Sequence, residues 1–363
     1  MAARATRTRR MEASAPHSGS APLSNLPSVT LIGFGNLGTS LAIALHQAGV
    51  RIEEIVVRRE SKTNTPANRK LVHAVGTKLV TLERAALDAD ILWICTPDAG
   101  IAQAAMDIAK EIRRKISMAR VVPPLRSARN RPAQTAASRQ ARRVVFHSSG
   151  ALDSGELAAM TSAGASVASV HPLMTFPRRT LVGFPRGSRP ETADVFPLAG
   201  VPFALQGDAM ACRVARRLVR SLHGAPFRLR AKDKPLYHAL GAFASPLLIA
   251  LLTAAEETGA AAGLNAKHVR RLMRPIVERT ISNFFTDGPD KSFSGPLARG
   301  DAETIARHLT ALRRHAPLAD VYRQLGLYAL AALPAANESQ LRRLLSRPAR
   351  KPASSGRSPA STA

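Results

Sequence analysis

The residues with the clearest chemical purpose lie early in the chain, where Gly33-Phe34-Gly35-Asn36-Leu37-Gly38 follows the pattern G-x-G-x-x-G. At this spacing the first glycine permits a tight turn, the second lets a diphosphate approach bare backbone, and the third lets the following helix pack closely on the preceding strand. A helix starting there offers unpaired N–H groups and a partial positive charge to an anion. The pattern alone recurs by chance, but here an apolar strand, Val29–Ile32, enters it and a helical pattern, Asn36–Gln47, leaves it and stops at Gly49. Gly33, Phe34, Gly35, Asn36, Leu37 and Gly38 are therefore predicted to hold a dinucleotide.

Roughly 20 residues beyond such glycines an NAD-binding domain places an acid on the ribose 2′-hydroxyl. This chain has Arg58 and Arg59 there, followed by Glu60. Guanidinium groups at that point suit a 2′-phosphate, which they grip by charge-assisted and often bidentate bonds, so the spacing predicts NADP over NAD. Ser61 and Lys62 add further donors. The bland reading is a solvated strand end.

Three later strand exits carry polar groups. Thr96, Pro97 and Asp98 follow Ile91–Cys95 and should line the dinucleotide, although Thr96 or Asp98 would serve equally as a helix cap with Pro97 in the first turn. Ser148 and Ser149 follow Val144–Phe146 beside His147, and His171 follows Val167–Val170. Ser148 is placed with the cofactor and Ser149 with the chemistry. His171 is read either as a proton donor or orienter of a substrate carbonyl, or as a strand-end residue bonded to backbone. His147 is the weaker candidate, because alternation along its strand would turn it away. In the second half, Tyr237 and His238 open an apolar helix, and Arg299 sits on a Gly- and Pro-flanked turn suited to holding an anionic substrate. Asp301 reads as the N-cap of the next helix. No His, Cys or acidic cluster has metal-ligand spacing, so no metal is expected.

The elements that must position these residues alternate. Val29–Ile32, Ile55–Val57, Ile91–Cys95, Val144–Phe146, Val167–Val170 and Phe203–Leu205 read as strands, nearly continuous in apolar residues as a parallel sheet covered on both faces requires. The fold class is α/β, a Rossmann-type doubly wound sheet followed by an all-α C-terminal domain. After Gly224 the texture changes to helical runs at Leu236–Gly259, Ala266–Phe285, Ala302–His315 and Pro317–Leu333. The expected division is a disordered basic tail over 1–27, an NADP-binding domain over 28–222, a helical domain over 223–333 and a disordered tail over 334–363. A disordered basic insertion is expected over 112–143, following a helix near Ala99–Arg113, and a mobile loop over Pro177–Thr192.

Across 363 residues there are 52 Lys and Arg against 25 Asp and Glu, a net charge of +27 that ordinarily suggests a polyanion partner. Much of it falls in segments without a core pattern: residues 112–143 alone hold ten Lys and Arg and no acid. Basic stretches without interleaved aromatics give salt-sensitive, non-specific attraction, so no specific nucleic acid is expected. Two cysteines, Cys95 and Cys212, exclude a disulfide framework and fit a reducing, cytoplasmic setting. No stretch reads as the ~20 apolar residues of a membrane span.

Taken together, Leu31–Gly38, Thr96–Asp98, Phe146–Leu152, His171–Phe176, Leu236–Leu248 and Gly295–His308 resemble a bacterial family that joins a Rossmann-like domain to a helical domain of unknown function, DUF2520. That family is similar to pyrroline-5-carboxylate reductase, ketopantoate reductase and the F420-dependent NADP reductases. The resemblance implies hydride transfer to a small C=O or C=N substrate at a cleft between the domains, and an interwoven homodimer formed through the helical domain. On that reading Tyr237, His238 and Arg299 approach the substrate from the helical side. The chain departs from the pattern at Ser245-Pro246, where relatives usually carry Asn in Ala-Ser-Asn. This removes a polar substrate contact and should kink the helix. Ser294 stands for a usual Thr. The loss of the Asn supports an alternative, a non-catalytic NADP-responsive binding or regulatory protein.

Overall fold

The structure, a computed structural model, describes residues 26–63, 65–121, 143–176 and 198–346. The expected N-terminal tail up to residue 25, most of the basic insertion, the Pro177–Thr192 loop and the end of the C-terminal tail lie outside these residues. The chain divides into two compact units, Met1–Gly241 and Ala242–Ala363.

The first unit is built on eight strands: β1 (Val29–Ile32), β2 (Ile52–Val56), β3 (Leu79–Val80), β4 (Ile91–Ile94), β5 (Val144–His147), β6 (Ser166–Pro172), β7 (Pro202–Gly207) and β8 (Ala225–Arg228). Their order in the sheet is β3-β2-β1-β4-β5-β6-β7-β8. Neighbours are parallel except β6 and β7, which run antiparallel with His171 opposite Ala204. Helices α1 (Asn36–Gln47), α2 (Pro66–Ala74), α3 (Ile101–Val121), α4 (Ala209–Ser221) and α5 (Lys234–Ala242) complete the unit.

Both sheet faces are covered, which explains the unbroken apolar strands. Leu31, Trp93, Phe146 and Phe203 point to one side, where Leu41 and Leu45 of α1 and Leu218 of α4 meet them. Ile32, Leu92, Ile94 and Val145 point to the other, against Ile101, Ile108 and Ile112 of α3. Each such side chain fully withdrawn from water stabilises the unit by about 1.5–3 kcal/mol.

The observed boundaries correct several expectations. Helix α3 continues to Val121, so residues 112–121 are helical rather than part of an insertion. Ile112 packs into the core there, and Glu111 pairs with Arg114 and Lys115 one turn on. At the other end of that insertion, Arg143 leads into β5 and donates to the Leu87 carbonyl at 2.8 Å. The sheet unit extends past residue 222 because β8 adds a strand and α5 follows it.

The second unit is helical: α6 (Leu248–Ala261), α7 (Ala266–Asp287), α8 (Ala302–Leu312), α9 (Ala316–Ala332) and α10 (Glu338–Leu345). The tail expected from residue 334 is ordered through α10, whose Leu341 and Leu345 pack with Ile305 and Leu330. Asp301 caps α8 as predicted, accepting from the Thr304 amide at 3.0 Å. Pro246 lies within a π-helical segment, Phe243–Leu247, which accommodates the missing N–H without ending the helix.

A second correction concerns lipid. The helical run Ala231–Ala261 is, by length and composition, long and apolar enough to cross a membrane. Its many Ala, Gly, Ser and Thr residues hide this from a search for consecutive large apolar side chains.

Candidate functional site

The carboxyl ends of β1, β2 and β4 surround a cavity of about 620 Å³ lined by Gly33, Phe34, Gly35, Arg58, Thr96 and Pro97, among others. It occupies the switch point of the sheet, where successive strands depart to opposite sides of β1 and ligands of open α/β sheets bind.

The three glycines divide the labour. Gly33 has φ +107°, a left-handed conformation, and an added Cβ would lie 2.9 Å from the Cys95 carbonyl oxygen. At Gly38 an added Cβ would lie 2.2 Å from the Gly33 carbonyl oxygen, so α1 sits on the turn at a distance only glycine allows. Gly35 has nothing within 4 Å of that position. It is also the N-cap of α1 and supplies no side-chain cap, leaving the first-turn amides to an outside acceptor. In the cavity wall the Thr96 hydroxyl is buried with no hydrogen-bond partner, an orphan donor of the kind a ligand oxygen satisfies. An uncrowded glycine at a bare helix start and an unsatisfied hydroxyl both fit a bound dinucleotide. Burial pushes the neighbouring Cys95 thiol up to about 12, so it is a neutral wall.

Other residues expected here are placed differently. Leu37 packs against the core, and the Asn36 side-chain Nδ2 donates to the Phe176 carbonyl at 2.9 Å. Arg59 is exposed and is not among the lining residues. Glu60 accepts from the Thr81 amide at 3.2 Å and faces Arg84 at 4.0 Å. The side chains of Ser61 and Lys62 lie outside the described residues. Asp98 caps no helix; its carboxylate accepts from the Ser149 hydroxyl at 2.8 Å. Thr96, without a partner, caps none either.

A second cluster forms at the ends of β5 and β6. Ser148 receives the indole N–H of fully buried Trp93 at 2.8 Å. The Ser149 hydroxyl accepts from the amides of Ala151 and Leu152 while donating to Asp98, so it shapes the turn. His147 is buried beneath that turn, with Nδ1 accepting from the Ser149 amide and Nε2 facing the Asp153 carbonyl at 2.9 Å. These contacts require a neutral ring, and burial, ahead of the Lys234 charge, lowers its pKa to about 4. His171 is half-buried within β6, and its Nδ1 meets the Tyr237 hydroxyl at 2.9 Å. The two rings are edge-on at 5.4 Å. Burial pushes Tyr237 up to about 12.

Gly150 joins the group: a Cβ there would stand 2.8 Å from His171 Nε2 and 2.8 Å from His238 Cδ2. The sheet unit thus brings together Ser149, His171, Tyr237 and exposed His238. Arg299 lies in the helical unit, exposed at the end of a short helix, Pro296–Arg299, that stops at left-handed Gly300. Sequence reasoning missed Gly150, Ser169 and Lys234. The available signal for Lys234 was a lysine opening an apolar helix. Among the described residues no group of three or more His, Cys, Asp or Glu could hold a metal ion.

A doubly wound sheet with a glycine turn at its switch point defines a Rossmann-type domain, here followed by a helical unit. Residues 28–119 match the family model described as NADP oxidoreductase, coenzyme F420-dependent, and residues 201–329 match the domain of unknown function DUF2520. The chain therefore carries both segments that its sequence resembles, with the DUF2520 match already starting at β7. No curated protein matches the chain.

Several solved structures share the fold. A candidate NADP oxidoreductase from Bacteroides fragilis aligns at TM-score 0.59 and 17% identity, covering 83% of this chain and 96% of its own. An imine reductase from Myxococcus stipitatus in complex with NADP+ aligns at 0.54 and 15%, covering 84% and 95%. A Thermotoga maritima protein aligns at 0.51 and 20%, covering 77% and 89%.

Proposed function

We propose that the chain is a cytoplasmic NADP(H)-dependent oxidoreductase that reduces a small C=O or C=N substrate. The observation that carries this is the His171–Tyr237 pair against Gly150, at strand ends of the sheet whose switch point holds the glycine turn. NADPH, when bound, supplies the hydride. Gly33, Gly35 and the first turn of α1 hold its diphosphate, Thr96 offers a hydroxyl, and Arg58 takes the 2′-phosphate. Glu60 supports this preference for NADP, because its carboxylate is engaged by Thr81 and Arg84.

Tyr237 keeps its proton at neutral pH and has it within hydrogen-bond reach of His171, so this pair supplies the proton the reduced oxygen or nitrogen takes up. His238 borders the substrate, and Arg299 of the helical unit is kept as a candidate anion-binding residue. With purified protein, NADPH oxidation is expected with at least one member of a carbonyl and imine panel. Tyr237→Phe should lower that turnover by about 10²–10³-fold while leaving NADPH binding unchanged. Tight NADPH binding without turnover across the panel favours the non-catalytic, NADP-responsive reading instead.

The proposed assembly is a homodimer. In the helical unit Phe243, Ile249, Ile276 and Phe285 are 61–81% exposed, more large apolar surface than isolated exposed residues present. A second copy would cover this surface on both chains at once through a two-fold axis. Light scattering at micromolar concentration should give twice the chain mass, and Ile276→Asp should halve it. A wild-type monomer, or a protein extracted only by detergent, overturns this assembly.

A further inference from the structure

Lys234 opens α5 and is fully buried. Its ammonium donates to the Ser149 carbonyl at 3.0 Å and to the Ser169 hydroxyl at 2.8 Å. Ser169 in turn donates to the same Ser149 carbonyl at 3.0 Å. No carboxylate lies within ion-pair distance of this lysine among the described salt bridges. A buried cation whose direct hydrogen bonds all go to neutral oxygens is costly to keep, and a methionine would fill the same space without the cost. Its presence there suggests a use that a neutral side chain cannot serve.

The surroundings supply one. The carbonyl that Lys234 grips belongs to Ser149, and the next residue, Gly150, is the surface on which His171 Nε2 and the His238 ring rest. Three residues along α5, Tyr237 reaches His171 Nδ1. We propose that Lys234 is a positioning residue: its ammonium ties the end of β5 to β6 at the surface where His171 rests, and its charge bears on the His171 ring that Tyr237 meets. It touches no reacting atom, since none of its surface is open.

The electrostatics agree in sign. Burial, then the Lys234 charge, lowers His171 to about 4; His238 and His147 push the same way and Asp98 opposes them. Tyr237, packed on the ring, also faces it. Burial lowers Lys234 itself only to about 8, with Asp153 and Asp98 holding it up, so the cation persists at neutral pH. A neutral His171 can exchange a hydrogen bond with the Tyr237 hydroxyl in either direction, whereas an imidazolium can only donate to it.

The geometry stands without the reductase reading, which supplies only what the neutral pair is for, and the test needs no substrate. NMR titration of the His171 ring in the full chain should show its pKa in Lys234→Met raised from about 4 toward the ordinary 6.5, by about one unit. Ser169→Ala, which removes a contact and keeps the charge, should leave that titration in place. An unmoved His171 in a folded Lys234→Met protein, or equal shifts in both variants, overturns the electrostatic role. If Lys234→Met does not fold, the wild type decides. Its His171 resonances should carry a second, smaller step near pH 8 as Lys234 loses its proton, and the absence of that step overturns the proposal.

Discussion

Gly38→Ala is expected to destabilise the sheet unit by about 3 kcal/mol or more, whereas Gly35→Val leaves the cofactor-free protein as stable as wild type and abolishes its stabilisation by NADPH. The difference follows from what each new side chain meets. At Gly38 a Cβ would enter the space of the Gly33 carbonyl oxygen at 2.2 Å, and that backbone cannot yield as a flexible side chain would. Overpacking a closed core site costs about 1–3 kcal/mol, and contact with backbone lies at or above the upper end. At Gly35 the space is open in the free protein, and the cost appears only when a diphosphate must reach the amides of α1. Thermal unfolding with and without NADPH separates the two. A Gly35→Val protein still stabilised by NADPH would remove the glycine turn from the binding site.

Arg58→Asp should weaken NADPH about 100-fold and NADH little, a contrast read by thermal shift at matched concentrations of the two nucleotides. Charge-assisted bonds to a phosphate contribute about 1.5–3 kcal/mol, and replacing the guanidinium with a carboxylate adds repulsion. Arg58 carries this expectation because it lines the cavity, whereas Arg59 is not among the residues that do. Equal losses for both nucleotides would show that Arg58 does not distinguish the 2′-phosphate from a hydroxyl.

The legible parts of the fold were those where one local rule dominates. α1 runs from Asn36 to Gln47 as read, because a glycine turn starts it and Gly49 follows its end. β3 has only two residues, too short for a pattern, and β8 begins Ala-Pro and is largely exposed, so neither resembles the buried strands beside it. The basic residues after Arg113 concealed a helix whose apolar face continues to Ile112 and Ile116, since charge counts do not report which face is buried. In the site, the glycines were legible because their spacing is dictated by backbone geometry. Lys234, Ser169 and Gly150 were not, because they matter through partners 65 and 85 positions away in sequence and through ring contacts no local pattern encodes.

Helix α5 has two characters on one cylinder. Its inward side places Lys234 and Tyr237 among the strand ends, and its outward side leaves Leu236 and Leu240, 78% and 56% exposed, for something else to cover. Whatever settles on those leucines also braces the rod that bears Tyr237, the proposed proton donor, so in a solitary chain a wet, oily flank lies back to back with the side chain that meets His171. Self-association and turnover would then rise and fall together on dilution.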